Sequence, residues 1–550
     1  MFQFTSTATV LLMVLFYGIT FLLSLRIKQK NENVDGYMVS NGSIGFGMSA
    51  ASMTATWIWA ASFYAAASSG YTYGVSGALH YGLWGALMIL FIYPFGKRFR
   101  ELAPNAHTLA EIMHARHGNQ SQMILAGSNI VGSVISLMVN FTAAGALVEI
   151  LSPLSFIHGV LITSIGVLSY TLWSGFRSSV FTDFGQLVAM IVAAVIIIPT
   201  LFFTLGGPSL FQSGIHHLQP EQLDFFSKTA FLEQGAPFFV AVLAYAIGNQ
   251  TIAQRLFAVR EDLIKPSFIT ATIGYAAIVI GLGMLGLLAL FAGIQPIDGN
   301  LNNLIPQMAA TYLSPFMVAL LFIMVIGALS STADSDLSAL SAIVMTDIYG
   351  KQIAKNRPDP KKMLFIGRMT MIVATMLGIV IATLKFDILS MLIFVGALWG
   401  SIVFPVIVSL YWDKVNAQAF NWSVGLAFFS FLIVRFEWLP IQGLIALGFE
   451  LVATLGIGVV LGLMTFGFFG KKVGLVVGIL ASIGFMPWTI GFLHEYGTLL
   501  SSLTAYGTSA LVCTVLTLVY SKERFDFKQI NKMVIEFHQL SEIIHNFFRN

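Results

Sequence analysis

Fifteen mostly apolar stretches follow one another along this 550-residue chain, and most are close to the ~20 residues a membrane-crossing helix needs. They cover 7–25, 44–68, 76–96, 122–150, 153–174, 180–206, 234–255, 266–293, 311–345, 363–384, 388–411, 420–436, 441–468, 473–492 and 498–520. Such a succession leaves no room for a soluble domain of any size. The charged fraction, 10%, agrees: soluble proteins carry about 25%, and a soluble chain of this length could not cover its surface with so few polar side chains. The expected fold is an all-α polytopic membrane protein. The single cysteine, Cys513, excludes an internal disulfide. A net charge of +3 is spread over short loops, so no basic face exists to grip a nucleic acid.

The basic residues test the count of spans. Cytoplasmic loops carry an excess of Lys and Arg. With the N-terminus outside, only Lys228, Lys385 and Arg435 fall on the exterior side. The clusters Arg26/Lys28/Lys30, Lys97/Arg98/Arg100/Arg116, Arg255/Arg260/Lys265, Lys351/Lys355/Arg357/Lys361/Lys362/Arg368 and the tail from Lys522 onward all fall inside. One helix more or fewer would invert every later loop. The chain is therefore expected to run N-out and C-in across fifteen helices of an integral membrane protein, its short loops favouring a bacterial inner (plasma) membrane. The first span is preceded by no positive charge, so it reads as an anchor rather than a cleavable signal. After 520 the sequence turns polar. Ile530, Met533, Val534, Phe537, Leu540, Ile544 and Phe547 recur at helical spacing, with Lys528, Lys532, Glu536 and Glu542 elsewhere. That pattern predicts an amphipathic helix on the inner membrane surface.

Two spans are weak enough to unwind. Small and hydroxyl residues crowd Gly45–Thr56 in the first, and Gly248, Asn249, Gln250 and Gln254 interrupt the second. They open two blocks of five spans, 44–206 and 234–411. Interrupted helices in corresponding positions of two halves are a mark of inverted-repeat transporters, which bind ions where helices break near the midplane. The expected organisation is then an accessory helix and loop over 1–43, a ten-helix transport core over 44–411, accessory helices over 412–520 and a tail over 521–550.

Charged residues within spans are functional candidates. Asp183 follows Thr182. Asp334 and Asp336 lie in Gly327-Ala-Leu-Ser-Ser-Thr-Ala-Asp-Ser-Asp-Leu-Ser338. Helical spacing puts Thr332 with Asp336, and Ser330 or Ser331 with Asp334. Hydroxyls beside carboxylates are hard oxygen donors, which suit sodium and not a soft transition metal. No His-Glu-x-x-His or Gly-x-Ser-x-Gly sits in a span, so an intramembrane enzyme is not expected.

These residues together resemble the sodium:solute symporters, which share the LeuT-like inverted-repeat fold. Three motifs carry the resemblance: Ala50-Ala-Ser-Met53; Ala328-Leu-Ser-Ser331-Thr332 with Asp347-Ile-Tyr349 beyond it; and Thr182-Asp183-Phe-Gly-Gln186. Asn249-Gln250…Gln254-Arg255 also matches a family pattern. The resemblance implies a sodium site made by the carbonyls of Ala50, Met53 and Ala328 and the hydroxyls of Ser331 and Thr332. It implies a solute site lined by Ser52, Thr54, Thr56, Trp57, Asn249 and Gln250, with Asp183 and Asp336 as coupling or selectivity groups; Asp334, a further candidate for that role as an acid within a span, has no counterpart in the family pattern. Trp57-Ile-Trp59-Ala-Ala and Tyr73-Gly-Val-Ser-Gly77 resemble the urea/polyamine branch. Ser52 stands where proline symporters carry Asp, and Thr251 where many members have a gating Tyr. The implied activity is sodium-coupled symport of a small polar solute, urea or a polyamine, with no cofactor beyond the coupling ion and no obligate protein partner. Proton-coupled transport using Asp183 and Asp334, and a transporter-shaped solute sensor, are the alternative readings.

Overall fold

The computed structural model describes residues 1–27, 33–355, 358–386, 388–521 and 523–536. Lys28, Lys30, Arg357, Lys522 and the tail positions Phe537, Leu540, Glu542, Ile544 and Phe547 lie outside the described residues. Helices dominate, and among the described residues the only β feature is an isolated bridge between Ile44 and Val259. Fourteen helical stretches are long and apolar enough to cross a membrane. Their main helices are α1 (Ser6–Ile27), α3 (Ala60–Leu102), α5 (Asn119–Leu151), α6 (Phe156–Ser174), α7 (Phe176–Thr204), α8 (Ala236–Gly248, the last part of the stretch Lys228–Gly248), α10 (Ile264–Phe291), α11 (Pro315–Ile343), α12 (Pro360–Ala382), α13 (Ile388–Tyr411), α14 (Ala417–Arg435), α15 (Gly443–Phe469), α16 (Lys471–Thr489) and α17 (Gly497–Tyr520). The shorter α2 (Phe46–Trp57), α4 (Leu109–His117) and α9 (Gln250–Ala258) complete the set used below.

The fifteenth crossing is hidden inside α3. Its 43 residues would extend about 65 Å as one helix, twice the hydrocarbon thickness. Gly74, at φ 68°, ψ −146°, cuts it in two. A side chain there would also meet the Gln222 carbonyl, 2.0 Å from where its Cβ would sit. Residues 60–73 therefore complete the crossing begun by α2, and 75–102 form the next.

The first break differs from the expected one. The stretch from Phe46 to Trp57 is helical, with Gly45 as its extended N-cap, and the interruption follows it, at Ile58 and Trp59, whose backbones leave the helical region. Small residues inside α2 allow close packing instead of unwinding it. The second break falls where expected: α8 ends at Gly248 and α9 begins at Gln250, with Asn249 at φ −93°, ψ 117° between them.

Backbone lies directly on backbone between α3 and α10. A Cβ on Gly286 would sit 1.8 Å from the Ala67 carbonyl oxygen, and one on Gly70 would sit 2.0 Å from that of Gly283. Glycine alone permits this approach.

One face is closed by a belt of polar contacts around α4. Thr108 caps the helix by accepting from the Glu111 amide, and the Glu111 carboxylate accepts in return from the His107 amide. Glu111 pairs at 3.6 Å with Lys351, which extends from the π-helical segment Val344–Ile353 beyond α11. Arg116 reaches the end of α13 and donates to the carbonyls of Ser409, Trp412 and Asp413, where a cation suits the helix dipole. The tail departs from the expected membrane-surface helix. Phe525 stacks 4.2 Å from the Arg116 guanidinium, and Ile530 and Val534 are fully buried against the protein.

Within this belt His117 contacts the Ser409 hydroxyl at 2.7 Å. Burial, aided by the Arg116 charge, pushes its imidazole well below the usual 6.5. The unfolded chain therefore takes up a proton that the folded chain refuses, and stability falls as pH drops below about 6.5. The His117 contribution is at most about 1.4 kcal/mol per pH unit. Thermal unfolding of the purified protein between pH 7.5 and 5.5 should show this decline, and His117→Gln should flatten it.

Candidate functional site

The two breaks face α11 in the middle of the protein, and a buried polar cluster ties them to it. The cluster is organised by Arg255, on α9. Its guanidinium donates to the Asp183 carboxylate at 3.0 Å, to the Ser335 hydroxyl at 2.7 Å, to the Ser52 hydroxyl at 2.9 Å and to the Thr251 carbonyl at 3.1 Å. Both members of the Arg255–Asp183 pair are buried, at 2% and 0% exposure. An arginine fork suits this role because its donors are fixed in one plane. Arg255 is thus not a loop residue, as its grouping with Arg260 and Lys265 suggested, but the internal cation of the core. The sequence signal was its place four residues after Thr251 on one helical face.

Asp183 also accepts from the hydroxyls of Ser52, at 2.5 Å, and Ser331. It therefore joins α7 to α2, α9 and α11. Asp334 lies next to this group. It accepts from Tyr170 at 2.7 Å, Ser179 at 2.5 Å and Thr182 at 3.4 Å, and Ser335 stands between it and Arg255. Tyr170, Ser179 and Ser335 were not singled out from the sequence, where buried hydroxyls look like ordinary packing residues.

The expected ion ligands lie within α2 and in the middle of α11. Thr332 donates to the Thr56 carbonyl at 2.8 Å, one of the carbonyls left without a helical partner where α2 stops. Ser331 donates to Asp183. The Ala50 carbonyl accepts from Thr54, and the Ala328 carbonyl from Thr332 at 3.4 Å. Met53 is buried one turn before the break.

The expected solute residues divide. Thr56, Trp57 and Asn249 line an enclosed cavity of about 20 Å³ together with Asp336 and Thr332. Ser52 belongs to the Asp183 cluster. Thr54 bonds its own helix and faces α10. Gln250 is turned away: its amide donates to the His107 carbonyl and accepts from the Leu109 amide, which anchors the belt.

Aromatic rings separate this cavity from a wider one of about 320 Å³. Trp57 and Trp399 both approach Tyr245 edge-on, at 6.1 and 5.1 Å between centroids. Trp399 was not expected. It fits because Gly132 and Gly248 leave a notch, where a Cβ would sit 2.3 and 2.5 Å from its side chain. Three buried polar atoms beside the smaller cavity have no partner among the described residues: the indole Nε1 of Trp57, that of Trp399, and Oδ2 of Asp336.

A family model described as the sodium:solute symporter family matches residues 37–424. Among curated proteins, the sodium/pantothenate symporter of Escherichia coli (strain K12) is 26% identical over 426 residues, covering 74% of this chain and 85% of that one. The probable urea active transporter 1 of Schizosaccharomyces pombe is 23% identical over 372 residues, 63% of this chain and 56% of that protein. Among solved structures, a Na⁺-coupled sialic acid symporter in its substrate-bound, outward-open state superposes with a TM-score of 0.68 at 17% identity, covering 86% of this chain and 97% of that one. That likeness establishes the LeuT-like fold of the ten-helix core. The chain belongs to the sodium:solute symporter family.

Proposed function

We propose that this protein couples sodium influx to the uptake of a small polar solute, urea or a polyamine, by alternating access across a bacterial inner membrane. The observation that carries the reading is the meeting of both helix breaks with Ser331, Thr332 and Asp336 of α11. The hydroxyls of Ser331 and Thr332 have their protons engaged by Asp183 and Thr56. Their oxygen lone pairs remain free to bind a cation, together with the carbonyls of Ala50, Met53 and Ala328. Sodium held there ties α2 to α11 and stabilises one conformation, so the solute gains affinity by linkage. The membrane potential adds about 2.3 kcal/mol per charge per 100 mV. The solute takes the cavity beside Thr56, Trp57 and Asn249, where the Asp336 carboxylate accepts from an N–H of urea or an amine.

Uptake of labelled urea and labelled putrescine into proteoliposomes, under an inward sodium or potassium gradient, tests the reading. Sodium-stimulated accumulation of either supports it, and no stimulation of either removes it. The double variant Ser331→Ala, Thr332→Ala should raise the half-saturating sodium concentration at least about tenfold, equivalent to ~1.4 kcal/mol of lost binding. An unchanged sodium dependence would sink the ion assignment. Asp336→Asn should reduce putrescine uptake about tenfold or more beyond its effect on urea. Equal losses would deny it a part in selectivity.

A second reading rests on charge. Asp183 and Asp334 share one neighbouring guanidinium through Ser335, so a proton in place of sodium also balances the cluster. Uptake that follows the pH gradient and ignores sodium would select it, and Asp334→Asn should then abolish the pH response.

A further inference from the structure

The wider cavity has a chemistry of its own. It opens beside the 207–233 connection and is floored by the Trp57–Tyr245 contact. Aromatic side chains dominate its wall: Trp57, Trp59, Tyr81, Tyr245, Tyr275 and Tyr506. Glu233 is the one charged residue in the lining.

Two irregular backbone segments meet at its mouth. Gly74 breaks α3 just after Tyr73, and residues Phe231–Gly235 form a π-helical turn ahead of α8. The Tyr73 hydroxyl donates to the Glu233 carboxylate at 2.9 Å and fixes it there. The next residue, Gln234, is buried, donates its amide N–H to Ser69, and leaves Oε1 without a partner among the described residues. The turn thus presents the Glu233 carboxylate at the mouth, while the Gln234 side chain is buried.

Several of the hydroxyl donors around the wall are already engaged. Tyr245 donates to the Leu392 carbonyl at 3.0 Å and Tyr506 to the Val240 carbonyl at 2.9 Å. Ser68 and Ser69 donate back to their own helix. The wall adds ring faces to the single carboxylate of Glu233. Such a surface attracts a cation through the ring quadrupoles and the carboxylate, and an aliphatic body through the apolar wall.

We propose that this cavity is a second binding site, separate from the enclosed one, for an aliphatic organic cation whose N–H groups face Glu233. The proposal deepens the transport reading and rests on it for one point, that the bound cation passes on to the enclosed cavity. Occupancy of the outer site itself does not depend on transport.

The test is equilibrium binding to the full-length purified protein, read by calorimetry, in an Asp336→Asn background that removes the inner carboxylate. The probes are n-pentylammonium and its neutral counterpart 1-pentanol. The ammonium should bind at least about tenfold more tightly than the alcohol. Glu233→Gln should erase that difference and Glu233→Asp should keep most of it. Equal binding of the two probes, or ammonium binding that Glu233→Gln leaves unchanged, would overturn the proposal. Glu233 is exposed, so neither substitution threatens the fold. If no amine is transported while ammonium binding still depends on Glu233, the transport reading falls and the outer site stands.

Discussion

The buried pair between Arg255 and Asp183 is the interaction on which the centre of this molecule depends. An isolated charge in the membrane interior is costly, and a buried pair is tolerated only when its remaining hydrogen-bonding capacity is met. Here Ser52, Ser335, Ser331 and the Thr251 carbonyl meet it. Each comes from α2, α9 or α11, while Asp183 sits on α7. The helices that must come together for the breaks to face each other are therefore held by one polar knot. Loss of either charged partner would leave the other uncompensated, so the helices are bound as strictly as a hydrophobic contact could bind them and with more directional precision.

The knot also explains what surrounds it. Three carboxylates, Asp183, Asp334 and Asp336, stand near a single guanidinium, and hydroxyls rather than further cations satisfy much of the remainder. Hydroxyls can turn. They accept from one group and donate to another, as Ser52 accepts from Arg255 and donates to Asp183. A site built of fixed cations could not do this.

The fold was largely legible in the sequence because a membrane imposes its own arithmetic. Span lengths and the distribution of Lys and Arg gave the fifteen crossings, including the one inside α3 that no helix end marks. The second break was visible as Gly248-Asn249 in an apolar run. The first was misplaced, since small residues signal close packing as readily as unwinding, and Ile58-Trp59 carries no turn chemistry of its own. The site was legible in part. Thr56, Trp57, Asn249 and Asp336 meet at one cavity, but Gln250 turns to the belt and Thr54 to α10. Arg255 was hidden by its neighbours in the charge count, and Trp399 by the distance in sequence from the glycines that receive it. Both depend on tertiary packing, which local pattern does not contain. The tail misled for the same reason: its apolar stripe fits a lipid surface or a protein surface equally well, and here the described part rests on protein.

The glycine contacts between α3 and α10 have a mechanical meaning. With carbonyl oxygens lying where side chains would otherwise sit, the outer half of the first broken crossing and α10 have no cushion of rotatable groups between them. They can only travel together, as one plank. Compliance is then confined to the plank's two joints, Ile58-Trp59 at one end and Gly74 at the other. One wall of the wider cavity is thereby set on direct backbone contact, and much of the rest of its lining comes from α8, α13 and α17.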